Sequence, residues 1–150
     1  VLGIAGVVIA ADQVTKSLAL SRLSHGPVHV VGPLSFELAY NSGVAFSLFT
    51  GLTVPIVLAV LSIAGLLAWL ARGVPSASGT VALGMILGGA CGNLSDRLFR
   101  GNGGSVVDFV HLGFWPTFNV ADASIVCGCV VLAIGLWQPQ GPTGMPVDGT

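Results

Sequence analysis

From Leu52 to Ala71 the chain runs for twenty residues without a charge. A helix of that length spans about 30 Å, the thickness of a bilayer's hydrocarbon core. A further uncharged run extends from Gly73 to Ser95. Across the chain 53% of residues are hydrophobic and 7% are charged, against roughly 25% charged in a soluble domain. Eleven charges, five basic and six acidic, cannot clothe a soluble surface of 150 residues. The sequence therefore reads as an integral membrane protein. Its net charge of −1 leaves no basic footprint for nucleic acid. Cys91, Cys127 and Cys129 all fall in apolar runs and read as small core residues, not as a disulfide or a metal site.

Patterning divides the chain into four transmembrane helices, at about 1–23, 52–71, 76–97 and 117–137, in a single domain over 1–138. The first helix begins like the core of a signal peptide. No basic residue precedes that core, however, and polar Asp12, Gln13 and Lys16 continue in the same helix. A segment at about 27–46 carries Pro27, Gly32-Pro33 and short β-prone runs, and reads as strands around a turn. Val106–Val110 also reads as extended, after a flexible Gly101–Ser105 loop. Residues 139–150, rich in Pro and Gly, read as a disordered tail. Gly84, Gly88 and Gly92 repeat every four residues on one helix face, which lets a neighbouring backbone approach closely. Four spans put both termini on one side, but the basic residues do not say which side.

The densest group of ionisable residues lies between Gly88 and Asp122, which holds three of the five aspartates. Ionisable groups beside hydrocarbon are costly and so mark function. Asn93-x-x-Asp96 and Asn119-x-x-Asp122 each put an amide and a carboxylate on one helix face, where the amide can orient its own aspartate or a bound peptide backbone. Asp12 and Lys16, at i and i+4, can pair on the first helix. Asp96 has Arg97 beside it and Arg100 at i+4. Asp108 and Asp122 have no cation in local sequence. Two such carboxylates suit a shared-proton pair, one taking a proton from water while the other polarises a carbonyl. The same residues would also serve a small proton-coupled membrane carrier as a relay, and polar groups that merely join the helices of a membrane assembly subunit are a third reading. HExxH, GxSxG and Walker patterns are absent. His25 and His29 read as surface residues and His111 as an interfacial one.

Five segments carry a resemblance. Asp12-Gln13-Val14-Thr15-Lys16, Asn41-Ser42-Gly43-Val44-Ala45-Phe46, Gly88-Gly89-Ala90-Cys91-Gly92-Asn93-Leu94-Ser95-Asp96-Arg97, Val106-Val107-Asp108-Phe109 and Phe118-Asn119-Val120-Ala121-Asp122 resemble, in order, the motifs of the lipoprotein signal peptidase (signal peptidase II) family. The resemblance implies an all-α polytopic membrane protein of four transmembrane helices with a small extracytoplasmic β-rich cradle. It implies a bacterial inner-membrane aspartic endopeptidase, its active site toward the extracytoplasmic side. The substrate implied is a prolipoprotein bearing diacylglycerol on a cysteine, cut just before that cysteine. By the same resemblance Asp108 and Asp122 are the catalytic pair. Asn93, Arg97 and Asn119 line the site, Asp12, Lys16 and Asn41 support it, and Asp96 braces the helix end by pairing with Arg97. Phe36, Phe46, Phe109, Phe114 and Trp115 become candidates for an apolar lid and walls. No metal or organic cofactor is expected. The expected partners are the prolipoprotein and membrane lipid, with the enzyme itself a monomer. Two features depart from the family's pattern: a short Asp108–Asp122 segment, which leaves little room for an outer surface helix, and a tail without basic residues.

Overall fold

The computed structural model describes residues 1–42 and 76–137, with Gly65, Leu66, Trp69 and Arg72 between them. Three helices dominate the described residues: α1 (Leu2–Arg22), α2 (Ser76–Phe99) and α3 (Val120–Trp137). Each is long and apolar enough to cross a membrane. Their large exposed side chains are what lipid would face: Leu2, Val7, Val14 and Leu18 on α1, and Val126, Val130, Ile134 and Trp137 on α3. Cys91, Cys127 and Cys129 are exposed in the same way, which corrects the expectation that they fill the core. In a membrane protein an apolar run has no single inward face, so apolarity alone does not report burial.

The helices meet through glycine. A side chain at Gly84 would run into Ile4, one at Gly88 into Val8, and one at Gly92 into the Asp12 carboxylate, so one face of α2 lies directly on α1. Gly89, on another face of α2, abuts the Ala121 carbonyl of α3, and Gly128 of α3 abuts Ile86 and the Ala82 carbonyl. Between these contacts Ala82 and Leu132 form a buried cluster with Leu83 and Val131 packed on it.

A four-stranded antiparallel sheet closes one end of the helices: β1 (Val28–Val31), β2 (Leu34–Asn41), β3 (Val106–Leu112) and β4 (Trp115–Phe118), side by side in that order. The β1–β2 and β3–β4 turns hold Gly32 and Gly113, both at positive φ. Trp115–Phe118 pairs with β3, so α3 begins at Val120, later than the 117 expected from the apolar run. Ala19 and Leu23 at the end of α1 pack on Phe109 of the sheet, with Phe36, Leu38 and Val110 around them. Arg22, Phe99 and Val120 are the ends of α1, α2 and α3 that adjoin the sheet. The segments expected at 52–71, apart from Gly65, Leu66 and Trp69, and at 139–150 lie outside the described residues.

The glycine contacts make a direct prediction. Gly89→Ala drives a methyl into a backbone carbonyl and should destabilise the protein by about 1–3 kcal/mol, as overpacking does. Gly6→Ala on α1 meets nothing within 4 Å and should be neutral or raise the thermal midpoint, since alanine is favoured over glycine in a helix by about 0.5–1 kcal/mol. Thermal unfolding of the two variants in one detergent checks the contrast.

Candidate active site

Strand β4 runs into α3 through a single residue, Asn119. The first N–H groups of a helix lack partners within it, and here side chains supply them. The Asp122 N–H donates to Asn119 Oδ1 at 2.9 Å, and the Asn119 N–H donates back to Asp122 Oδ2 at 3.1 Å. This reciprocal pair is a capping box built from Asn and Asp. The Ala121 N–H reaches across to α1 and donates to Asp12 Oδ1 at 3.0 Å. The Asn119-x-x-Asp122 spacing thus has a local cause, the start of α3.

Below this helix start lies a buried ion cluster. Lys16, Asp12 and Asp96 are all fully buried. The Lys16 ammonium has three donors and meets three acceptors: Asp12 Oδ2 at 2.8 Å, Asn93 Oδ1 at 2.9 Å and Asp96 Oδ2 at 3.1 Å. Arg100 Nε donates to Asp96 Oδ1 at 2.7 Å. Two carboxylates and two cations leave the cluster neutral, which removes much of the cost of burying charge. Gln13 threads through it, its amide donating to Asp96 Oδ1 and Asp12 Oδ2 while its carbonyl accepts from Arg100 at 2.6 Å. The remaining oxygen demand of Asp96 is met by the Val107 N–H of β3, at 3.0 Å from Oδ2.

Asp108 and Asp122 stand above the cluster, and among the described residues neither has an ion-pair partner. Asn119 Nδ2 donates to Asp108 Oδ1 at 2.6 Å and also approaches Asn93 Oδ1 and the Val107 carbonyl. Asn93 Nδ2 donates to Asp122 Oδ1 at 2.8 Å. Two asparagine amides therefore bridge the carboxylates. Asp108 lies on β3, 2% exposed. Burial pushes its carboxyl up to about 6, and the charge of Asp122 adds to the push. Hydrogen bonds from Asn41 and Asn119 and the charge of Lys16 pull the other way.

The expected site residues thus converge, with three changes of partner. Asp96 pairs with Arg100 and Lys16, not with Arg97. Neighbouring helix residues point in different directions, whereas i and i+4 share a face. Arg97 instead donates to the carbonyls of Gly104, at 2.9 Å, and Ser42, at 3.4 Å, fastening the loops after α2 and β2. Asn93 orients Asp122 across the helix interface, not its own neighbour Asp96. Asn41, opposite Val106 at the end of β2, hydrogen-bonds Asp108. Gln13 and Arg100 belong to the same network but stood outside the expected set; their signal was polarity inside an otherwise apolar helix and the i+4 spacing from Asp96. His111 pairs with Glu37 at 3.3 Å and Thr117 at 3.2 Å on the sheet, apart from the two carboxylates. Of the aromatic candidates, Phe109 is buried and Phe36 half-buried, Phe114 and Trp115 are exposed, and Phe46 lies outside the described residues.

Comparison with known proteins agrees with these motifs. The profile of the family described as Signal peptidase (SPase) II matches residues 4–138. The lipoprotein signal peptidase of Rhodococcus jostii (strain RHA1) is 45% identical over 147 residues, covering 92% of this chain and 74% of the relative. That of Mycobacterium avium (strain 104) is 46% identical over 138 residues, covering 89% and 76%. Among solved structures, a bacterial membrane enzyme superposes with a TM-score of 0.73 at 25% identity, over 91% of this chain and 92% of that one. With three apolar helices, motifs in order and matches over most of its length, this multi-pass membrane protein belongs to the signal peptidase II family, the lipoprotein signal peptidases.

Proposed function

We propose that this chain is an aspartic endopeptidase that removes the signal peptide from diacylglyceryl-modified prolipoproteins, cutting before the lipidated cysteine, with Asp108 and Asp122 as the catalytic dyad. The observation that carries the reading is the pair itself: two carboxylates without ion-pair partners among the described residues, bridged by Asn93 and Asn119, one of them buried and held toward its protonated form. Asp122 takes a proton from water as the water oxygen attacks the scissile carbonyl carbon. Asp108 donates its proton to the carbonyl oxygen, giving a tetrahedral diol. Collapse of the diol breaks the C–N bond as a proton passes to the leaving nitrogen, and the dyad recovers one shared proton. The chemistry needs no metal or organic cofactor.

The lipid gives the site its location. Each methylene of the substrate's acyl chains buried in the bilayer contributes about 0.8 kcal/mol, which holds the cleavage site at the membrane surface. The dyad stands there too, at the sheet-side ends of the helices. We place that side outside the inner membrane of a bacterium, with the enzyme a monomer and residues 1–138 one domain. A fourth crossing at 52–71 belongs to this reading. Strand β2 ends at Asn41 in the sheet, whereas α2 starts at Ser76 at the far end of the helices, which supports a path back between them. The uncharged run and the helical backbone of Gly65, Leu66 and Trp69 agree with that path.

Cleavage of a lipid-modified prolipoprotein by the purified enzyme is the test. Asp108→Asn and Asp122→Asn should each lower kcat by at least about 100-fold, the low end of what a general acid or base contributes. Release of signal peptide by both variants at the parental rate would exclude the dyad. The pH profile has a defined sign. The free enzyme's pair holds its proton until the pH passes about 6, so kcat/KM should fall as pH rises through that value, about tenfold per unit. Stability follows the same group. An aspartate raised from 3.8 to about 6 in the fold stabilises it fully below 3.8, and this is lost as pH rises through 6. The shift of roughly two units corresponds to at most about 3 kcal/mol. Asp108→Asn should therefore melt at a higher temperature than the parent at pH 7.5 but not at pH 3.5.

A further inference from the structure

Lys16 touches neither of the two carboxylates assigned to the reaction. Its partners, however, hold the backbone on which those carboxylates stand. Asp12, paired with Lys16 at 2.8 Å, accepts from the N–H of Ala121, the residue before Asp122. Asp96, paired with Lys16 at 3.1 Å, accepts from the N–H of Val107, the residue before Asp108. The third Lys16 partner, Asn93, has its carbonyl oxygen fixed by the ammonium at 2.9 Å, which leaves its amide nitrogen for Asp122 at 2.8 Å. Were this amide flipped, two N–H donors would face each other at Lys16 and an oxygen would face a carboxylate.

We propose that Lys16 is a positioning residue that sets the separation of Asp108 and Asp122, by joining the two carboxylates that clamp the backbone beside each and by fixing the Asn93 amide toward Asp122. This rests on the dyad reading above. Asn119 links Asp108 to the start of α3 directly, at 2.6 Å; the Lys16 ammonium adds a second tie, through α1 and α2, that holds the backbone beside each carboxylate. Asp12 and Asp96 around that ammonium are fully buried and Asn93 is half-buried, which limits competition from water.

The proposal predicts the opposite sign from a simple charge effect. The groups facing the dyad are Lys16 and Asp12 from α1, Asn93 and the Arg100-paired Asp96 from α2, Asn41 from β2 and Asn119 between β4 and α3. The positive charge of Lys16 lowers the Asp108 carboxyl, whereas the nearness of Asp122 raises it. Removing Lys16 as a mere charge would raise the upper limb of the pH profile. Removing it as the spacer lets the carboxylates part and hydrate, and the limb drops toward the ordinary carboxylate range.

The experiment compares full-length parent, Asp108→Asn, Lys16→Met and Asp12→Asn/Lys16→Met in one detergent, with a lipid-modified prolipoprotein as substrate. The double variant keeps the cluster neutral and keeps an acceptor for Ala121. Cleavage by the parent and its loss in Asp108→Asn establish the dyad reading independently. Given both, whichever Lys16 variant folds should show kcat lower by about 100-fold, with KM within about threefold, as a misplaced catalytic group does. Its kcat/KM limb should also fall below pH 6. A limb that stays or rises overturns the proposal, whatever the rate. So does failure of both variants to fold, which would make Lys16 a brace of the helices and not of the dyad.

Discussion

A lysine ammonium buried among helices is the interaction on which the rest of this structure depends. Alone it would be prohibitive, because taking an ion out of water costs several kcal/mol even after relaxation. Lys16 is tolerated because each of its three N–H groups meets an oxygen at 2.8–3.1 Å and two of those oxygens are anionic. The acceptors come from α1 and α2, and the acceptors' other bonds reach β3 and α3. One satisfied cation thus joins four elements at a single point. Any arrangement that parted them would leave a charge in an apolar medium.

The ion cluster requires close helices, and glycine provides them. Gly92 leaves room for the Asp12 carboxylate that a larger residue would occupy, one turn from Gly88, where α2 rests on Val8. Gly89 lets α2 touch the backbone of Ala121, the residue whose N–H Asp12 caps. Van der Waals packing and polar satisfaction are therefore the same device seen from two sides. In lipid, where apolar side chains gain nothing by leaving the surroundings for each other, small residues and hydrogen bonds must carry helix association.

Some of the site was legible in the residue order. Asp12 and Lys16 at i and i+4, and Asn119 with Asp122 at i and i+3, are pairs that a helix creates by its own geometry, and both form. Partners chosen across elements were not legible. Asn93 looked set to serve Asp96 but serves Asp122, because the neighbouring helix start offers a carboxylate with unmet acceptors. Arg97 looked like the brace of Asp96 but turns to the loop carbonyls, and Arg100 takes the aspartate. The second half of β4, Thr117 and Phe118, fell inside the expected last helix, and only the pairing of the strand with Val110 and Leu112 decides its form.

By itself the sequence determined the solvent, the family, and the few carboxylates that could do chemistry. Those follow from composition, from uncharged length and from motifs in order, none of which needs a third dimension. Only the tertiary structure decided that the Asp12–Lys16 pair is a buried hub and not an interfacial ornament, that the cysteines face outward, and that Asp108 and Asp122 meet through two shared asparagines. The physical reason is the same in each case. A charge or amide is satisfied by whichever group the packing brings within hydrogen-bond reach, and residues far apart in the chain are brought there by glycine contacts and strand pairing that local sequence does not encode.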